Sequence, residues 1–179
     1  EESCGGVSFS GGEPLMQHAF LNGLLDACQH SGISTAIETC GYASWEVLAG
    51  VKDKIDLFLY DLKLMDSREH EKYTGASNTQ VLSNLMKLNS EGKNIIIRFP
   101  VIPRITDREE NIRQMTGYLR NLTSVKEIDL LPFNKLGKGK YEKLNRMNRL
   151  KDLEPPSREL MNDLAQRFKA QGLKVKIGG

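Results

Sequence analysis

Short apolar runs alternate with longer amphipathic ones from one end of the chain to the other. Residues 6–10 form a short β-rich run. Pro14 then opens a stretch to about residue 30 in which Leu21, Leu24, Leu25 and Cys28 recur at helical spacing. Residues 34–39 read as strand, and Ser44 as the N-cap of a short helix reaching about Gly50. Residues 55–62 are nearly continuously apolar with an acid at each end, the pattern of a strand covered on both faces. Residues 78–90 are helical, with Val81, Leu82, Leu85, Met86 and Leu88 as the buried stripe. Residues 94–102 form the next strand, Asp107 caps a helix to about Asn121, and 125–133 is strand again. Pro155-Pro156-Ser157 starts a last helix to about Ala170, followed by a final strand at 173–177.

Repeated βα units call for a parallel sheet with right-handed crossovers, hence an α/β fold in one domain spanning residues 1–179. The sheet closes either as an open doubly wound layer or as a partial barrel. In both, functional residues collect at the carboxyl ends of the strands. Gly11-Gly12-Glu13, Glu38-Thr39, Asp61-Leu62-Lys63, Arg98 and Asn134 all fall at or near such ends.

Charge narrows the partners. Against 25 basic residues stand 23 acidic ones, a net charge of +2 that points to neither nucleic acid nor an anionic membrane. The longest apolar runs are strand-sized, too short to span a bilayer. The opening Glu1-Glu2-Ser3-Cys4 carries no leader signature and lacks a starting Met inside what reads as a structural unit, so residues are expected upstream. Cys4, Cys28 and Cys40 are odd in number and widely spaced, which argues against a disulfide framework and fits a reducing cytoplasm. They also lack the short repeats that gather thiolates on one metal cluster. Residues 135–151 carry seven basic residues among Leu144, Met147 and Leu150. Without interleaved aromatics this reads as a solvated loop and helix or a protein-docking surface, and not as a nucleic-acid surface.

The strand-end residues each admit two readings. Gly11-Gly12-Glu13-Pro14 is either a capped βα turn or a close-approach loop whose helix start meets an anion. Asp61 and Lys63 share a strand face, so they are a structural ion pair, a ligand-binding pair or the setting of a Schiff-base lysine. Arg98, inside Ile95-Ile96-Ile97-Arg98-Phe99, needs a partner, either a ligand carboxylate or a neighbouring acid. Glu38-Thr39-Cys40-Gly41 is a capped loop or a hard-cation corner.

Taken in order, Gly5-Gly6-Val7-Ser8-Phe9-Ser10-Gly11-Gly12-Glu13-Pro14-Leu15, Glu38-Thr39-Cys40-Gly41, Asp61-Leu62-Lys63, Tyr73-Thr74-Gly75 with Asn78, Arg98 with Pro103, and Leu130-Leu131-Pro132-Phe133-Asn134-Lys135-Leu136-Gly137 resemble the radical S-adenosylmethionine superfamily. Within it the succession is similar to pyruvate formate-lyase activating enzymes and related glycyl radical enzyme activases. The resemblance implies a partial (β/α) barrel with its first βα unit missing. It implies that Gly11, Gly12 and Glu13 contact the amino group of S-adenosylmethionine, with Asp61, Lys63 (near its carboxylate), Arg98 and Asn134 also at the cofactor. Asn134 stands where some relatives have His. Glu38, which replaces the more usual Asp, would form a monovalent-cation site with Thr39 and Asp61. The implied activity uses a 4Fe-4S cluster, reduced by flavodoxin or ferredoxin, to cleave S-adenosylmethionine. The resulting 5′-deoxyadenosyl radical takes a hydrogen atom from a glycine of the partner enzyme, chemistry supplied by the cofactors. The CxxxCxxC loop that holds the cluster is absent. This chain alone is therefore expected to bind no cluster through that motif and to be inactive. A non-catalytic binding domain and an aldolase-like barrel using Lys63 are the alternatives.

Overall fold

The computed structural model describes residues 5–135, 150 and 152–178. Six parallel strands pair in simple sequence order: β1 (Val7–Phe9), β2 (Thr35–Thr39), β3 (Leu57–Asp61), β4 (Ile95–Val101), β5 (Val125–Pro132) and β6 (Lys174–Ile177). Between them run α1 (His18–His30), α2 (Trp45–Val51), α3 (Ser67–Thr74), α4 (Thr79–Ser90), α5 (Glu109–Leu119) and α6 (Arg158–Lys169). The strand order β1 to β6 never doubles back, so the sheet is a partial barrel and not a doubly wound layer.

Each strand turns one face to the helices. In β4 the side chains of Ile95, Ile97, Phe99 and Val101 are buried, and those of Ile96, Arg98 and Pro100 only half so. Burying four such side chains contributes about 6–12 kcal/mol before chain entropy is counted. They meet Leu21 and Leu25 of α1, Leu85 of α4, Met115 of α5 and Phe168 of α6 in one continuous core. Phe168 stands edge-on to Phe99 with centroids 6.1 Å apart. β3 shows the same alternation, so the two-sided covering expected for residues 55–62 does not hold. Among the described residues the helices cover one face, and the other carries the charged side chains among half-buried apolar ones such as Leu59 and Ile96.

Local signals set the helix ends. Ser44 and Ser157 accept from the backbone N–H of Val47 and Leu160, as N-cap serines do. Asp107 does not cap α5. Arg108 occupies that position without a side-chain bond, and Glu109 and Glu110 in the first turn complement the helix dipole instead. The stretch from Pro14 breaks into a 3-10 turn, Pro14–Gln17, and α1. Two stripe residues miss the core: Leu24 of α1 and Met86 of α4 are exposed. Asn84 and Asn89 are buried in α4 instead, because their amides serve neighbouring loops.

One element, α3, has no counterpart in the hydrophobic pattern. Asp66 accepts from Arg68 N and Glu69 N at its start, and Gly75 ends it at φ 87°. Its only buried residue is His70, so there is no apolar stripe to read.

Candidate functional site

The polar face of the sheet carries its charges in register. Asp61 pairs with Arg98 across β3–β4, Arg98 with Asp129 across β4–β5, and Asp129 with Lys176 across β5–β6. In-register residues of a parallel sheet project to the same side, so this row runs acid, base, acid, base. The row one step back includes Glu38, Glu127 and Lys174.

The ion pairs run diagonally between the rows. Arg98 reaches Glu38 Oε2 at 2.8 Å, and Ser10 Oγ donates to the same oxygen at 2.9 Å. The half-buried arginine of an otherwise apolar strand thus finds a neighbouring acid. Lys63 Nζ lies 3.2 Å from Asp61 Oδ2, each side chain about one-third exposed. Lys174 and Lys176 both turn to Glu127, at 2.9 and 2.5 Å.

Glu13 occupies the turn between β1 and α1, and both of its oxygens are engaged within the fold. Oε1 accepts from Thr39 Oγ1 at 2.6 Å and from Leu15 N at 3.2 Å. Oε2 accepts from Cys40 N at 2.9 Å and Cys40 Sγ at 3.0 Å. Burial first, then the hydrogen bond and charge of Glu13, push the Cys40 thiol up from 9.0 to about 11. Glu13 is therefore the brace between the glycine turn and the end of β2. Gly11 takes φ 137°, and a Cβ on Gly11 or Gly12 would meet nothing within 4 Å, so the turn stands open. Gly41 is required for a different reason. At φ 67° its missing Cβ makes room for the Tyr60 ring, whose hydroxyl donates to Val81 O at 2.7 Å.

The three candidate cation ligands do not converge. Glu38 and Asp61 are on the polar face, each in its own ion pair, whereas the Thr39 hydroxyl is on the core side with Glu13 and Gly41 N. Asn134 is exposed, two residues beyond β5. The segment Tyr73-Thr74-Gly75 with Asn78 is a structural brace. Thr74 Oγ1 donates to His70 O, the His70 ring is 2.7 Å from Ala76 O, and Asn78 Nδ2 donates to Leu64 O and Met65 O.

The loop after β3 is tied to the loop after β4 by Asn111. Its Nδ2 donates to Lys63 O and Thr106 O, and its Oδ1 accepts from Met65 N. Between these loops, beside Lys63, a cleft of about 740 Å³ is lined by Leu64, Tyr73, Ile102, Pro103 and Arg104 among others. Arg104 holds φ 65°, a conformation in which a non-glycine residue is strained.

The donor set suits a zwitterion. An open glycine turn, one-third-exposed Lys63 and Asp61, and Arg98 offer opposed charges along one edge. It does not suit an iron–sulfur cluster. Cys28 is on the buried face of α1, Cys40 is bonded to Glu13, and among the described residues no three His, Cys, Asp or Glu side chains could hold a metal. Cys4 lies outside the described residues, as do all of the basic residues of 135–151 except Lys135. No helix among the described residues is long and apolar enough to cross a membrane.

Comparison with known proteins shows the family and the fold. Residues 1–116 match the model of the Radical SAM superfamily. The chain is 40% identical over 182 residues to the trans-4-hydroxy-L-proline dehydratase activating enzyme of Clostridioides difficile, covering 100% of this chain and 60% of that protein. It is 46% identical over 147 residues to the choline trimethylamine-lyase activating enzyme of Oleidesulfovibrio alaskensis, covering 80% and 47%. The chain thus spans 47% to 60% of the length of these relatives. Among solved structures, a domain of pyruvate-formate lyase-activating enzyme from Bacteroides vulgatus superposes with TM-score 0.82 at 31% identity, covering 98% of this chain and 99% of that one. The fold of this chain is thus shared with an activating-enzyme domain over nearly its whole length. The chain belongs to the radical SAM superfamily, and within it to the activating enzymes that include pyruvate formate-lyase activating enzyme.

Proposed function

We propose that this chain forms the S-adenosylmethionine-holding part of an enzyme that installs a glycyl radical on a partner protein. The observation that carries the reading is the open glycine turn at Gly11-Gly12, which Ser10 and Glu38 connect to Arg98 and so to the charged row on the uncovered face. When bound, S-adenosylmethionine supplies the group that takes the hydrogen atom. The chain's own residues hold and orient it. Carbonyl groups of the open turn receive the cofactor's ammonium, while Glu13 fixes that turn against β2. Lys63 exchanges Asp61 for the cofactor carboxylate, which its partial exposure allows. Arg98, held by Glu38, keeps the floor of the site charged. Asn134 reaches the cofactor from the end of β5. The cleft beside Lys63 gives the partner's glycine segment a path to it.

No electron-transfer step is assigned to this chain, since its described cysteines do not fit a cluster. A second reading is a ligand-binding domain, since the charges of Lys63, Asp61 and Arg98 can hold a zwitterion by themselves. The aldolase-like reading loses support because residues 1–116 match the Radical SAM superfamily.

The test is anaerobic incubation of the gene product carrying this chain with iron, sulfide, a flavodoxin or ferredoxin reductant, S-adenosylmethionine and a candidate glycyl radical enzyme. Electron paramagnetic resonance should show a reduced four-iron signal that changes with the cofactor, then a glycyl doublet on the partner. Cofactor binding without any cluster signal would instead favour the second reading.

A further inference from the structure

Asp129 stands out on the polar face. It is only 8% exposed, and its Oδ1 is shut off from solvent without a hydrogen-bond partner. Its in-register neighbours are both basic, Arg98 on β4 and Lys176 on β6. Yet each is drawn to another acid, Arg98 to Glu38 and Lys176 to Glu127, and Lys174 follows Lys176. Among the described residues no cation comes within ion-pair distance of Asp129. A buried carboxylate oxygen without a donor costs stability, so a fold that retains one has left that oxygen for something else.

Position narrows what that is. Asp129 lies in the same cross-strand row as Asp61 and Arg98, two strands from Asp61. Strands are about 4.8 Å apart, so the row from β3 to β5 spans roughly 10 Å. A cofactor whose amino-acid end rests at the glycine turn and Lys63 extends its other end along this row. That end is a nucleoside, whose hydrogen-bond donors are neutral: the ribose hydroxyls and the exocyclic amine. A neutral donor suits a carboxylate already flanked by Arg98 and Lys176, whose charges would repel a second cation. Resting on the functional reading above, we propose that the Asp129 carboxylate binds the nucleoside end of S-adenosylmethionine by accepting a hydrogen bond from a ribose hydroxyl or the adenine amine.

The test is calorimetric titration of the parent protein and Asp129→Asn with S-adenosylmethionine, 5′-deoxyadenosine and methionine, alongside thermal melts without ligand. Asp129→Asn should weaken S-adenosylmethionine and 5′-deoxyadenosine about tenfold or more, the loss expected for one hydrogen bond to a charged group. Methionine binding should stay within about twofold, below the threshold of even a weak neutral hydrogen bond. The ligand-free variant should melt no lower than the parent, since the substitution removes an unpaired buried charge. Repeating the titrations with 2′,3′,5′-trideoxyadenosine and 5′-deoxyinosine assigns the donor to the ribose or to the base, because the penalty should vanish for the analogue that lacks it. Unchanged nucleoside binding, a penalty that persists with both analogues, or equal losses for methionine together with a lower melting temperature would each overturn the assignment. A parent that binds none of the ligands would sink the functional reading and this inference together.

Discussion

Replacing Glu13 by Ala tests whether that side chain is a brace. The substitution removes the acceptor for the Thr39 hydroxyl at 2.6 Å, the Cys40 amide at 2.9 Å and the Cys40 thiol at 3.0 Å. Thr39 is 3% exposed, so water does not readily replace the lost partner. An unsatisfied buried donor costs about 1–3 kcal/mol. Counting the Thr39 hydroxyl and the Cys40 amide, the two stronger donors, less partial relaxation, Glu13→Ala should destabilise the fold by about 2–4 kcal/mol in urea melts. A second readout is chemical. Folded Cys40 keeps its proton to about 11 rather than 9.0, chiefly through burial and next through Glu13. Without Glu13 its thiol should ionise at lower pH, though burial still holds it above the ordinary value. Alkylation of the Cys40 peptide, followed by mass spectrometry across pH, should therefore accelerate earlier in the variant. The sign for stability follows. The folded thiol holds its proton more tightly than the unfolded one, so parent stability falls as pH rises from 9.0 towards 11, and the variant loses less in that window. A variant within about 0.5 kcal/mol of the parent, the range of ordinary surface changes, with an unchanged alkylation profile would refute the brace.

Asn111→Ala removes three hydrogen bonds under the cleft and should cost about 2–4 kcal/mol, measured by denaturant titration, while raising hydrogen exchange at Met65. Phe168→Ala empties a fully buried site against Phe99 and should cost about 3–5 kcal/mol in the same assay. Gly41→Ala should destabilise by more than about 1 kcal/mol, because φ 67° and the Tyr60 ring both oppose a side chain there. Burial holds the Asp129 carboxyl above its usual range, with Arg98 and the lysines only partly opposing. The ligand-free parent should therefore lose stability as pH rises from the ordinary aspartate value through the folded one, and Asp129→Asn should flatten that loss in melts across pH.

The order and type of strands are legible in the sequence because β-branched runs such as Ile95-Ile96-Ile97 are short and bounded by turns. Which faces are covered is harder to read. Residues 55–62 are apolar at nearly every position, and only the structure separates buried Phe58 and Tyr60 from half-exposed Leu57 and Leu59. α3 escaped because it is hydrophilic, although Asp66 and Gly75 bracket it with cap residues. The candidate site was legible as a set of strand-end polar residues. Its pairings were not, since Arg98–Glu38 and Glu13–Cys40 join residues 60 and 27 positions apart. Asp129 was missed altogether, hidden in Ile128-Asp129-Leu130-Leu131. The signal was an acid in a strand whose neighbours in sequence are all apolar, the same signal that singled out Arg98.

The one-sided covering of the sheet also bears on how the chain finds its register. Side chains alternate with period two, so a one-residue slip of β4 or β5 would turn Arg98 or Asp129 under the helices and bring core residues into water. These charges thus act as a key against misalignment in a strand that is otherwise Ile-Ile-Ile-Phe-Pro-Val. Arg98→Leu would leave β4 apolar on both faces, with several pairings of similar energy. Parallel strands joined by long crossovers close slowly, and such a strand would stay exposed and unaligned while they do. The residues that line the ligand face therefore do a second job before any ligand arrives, by making every wrong alignment of the sheet costly.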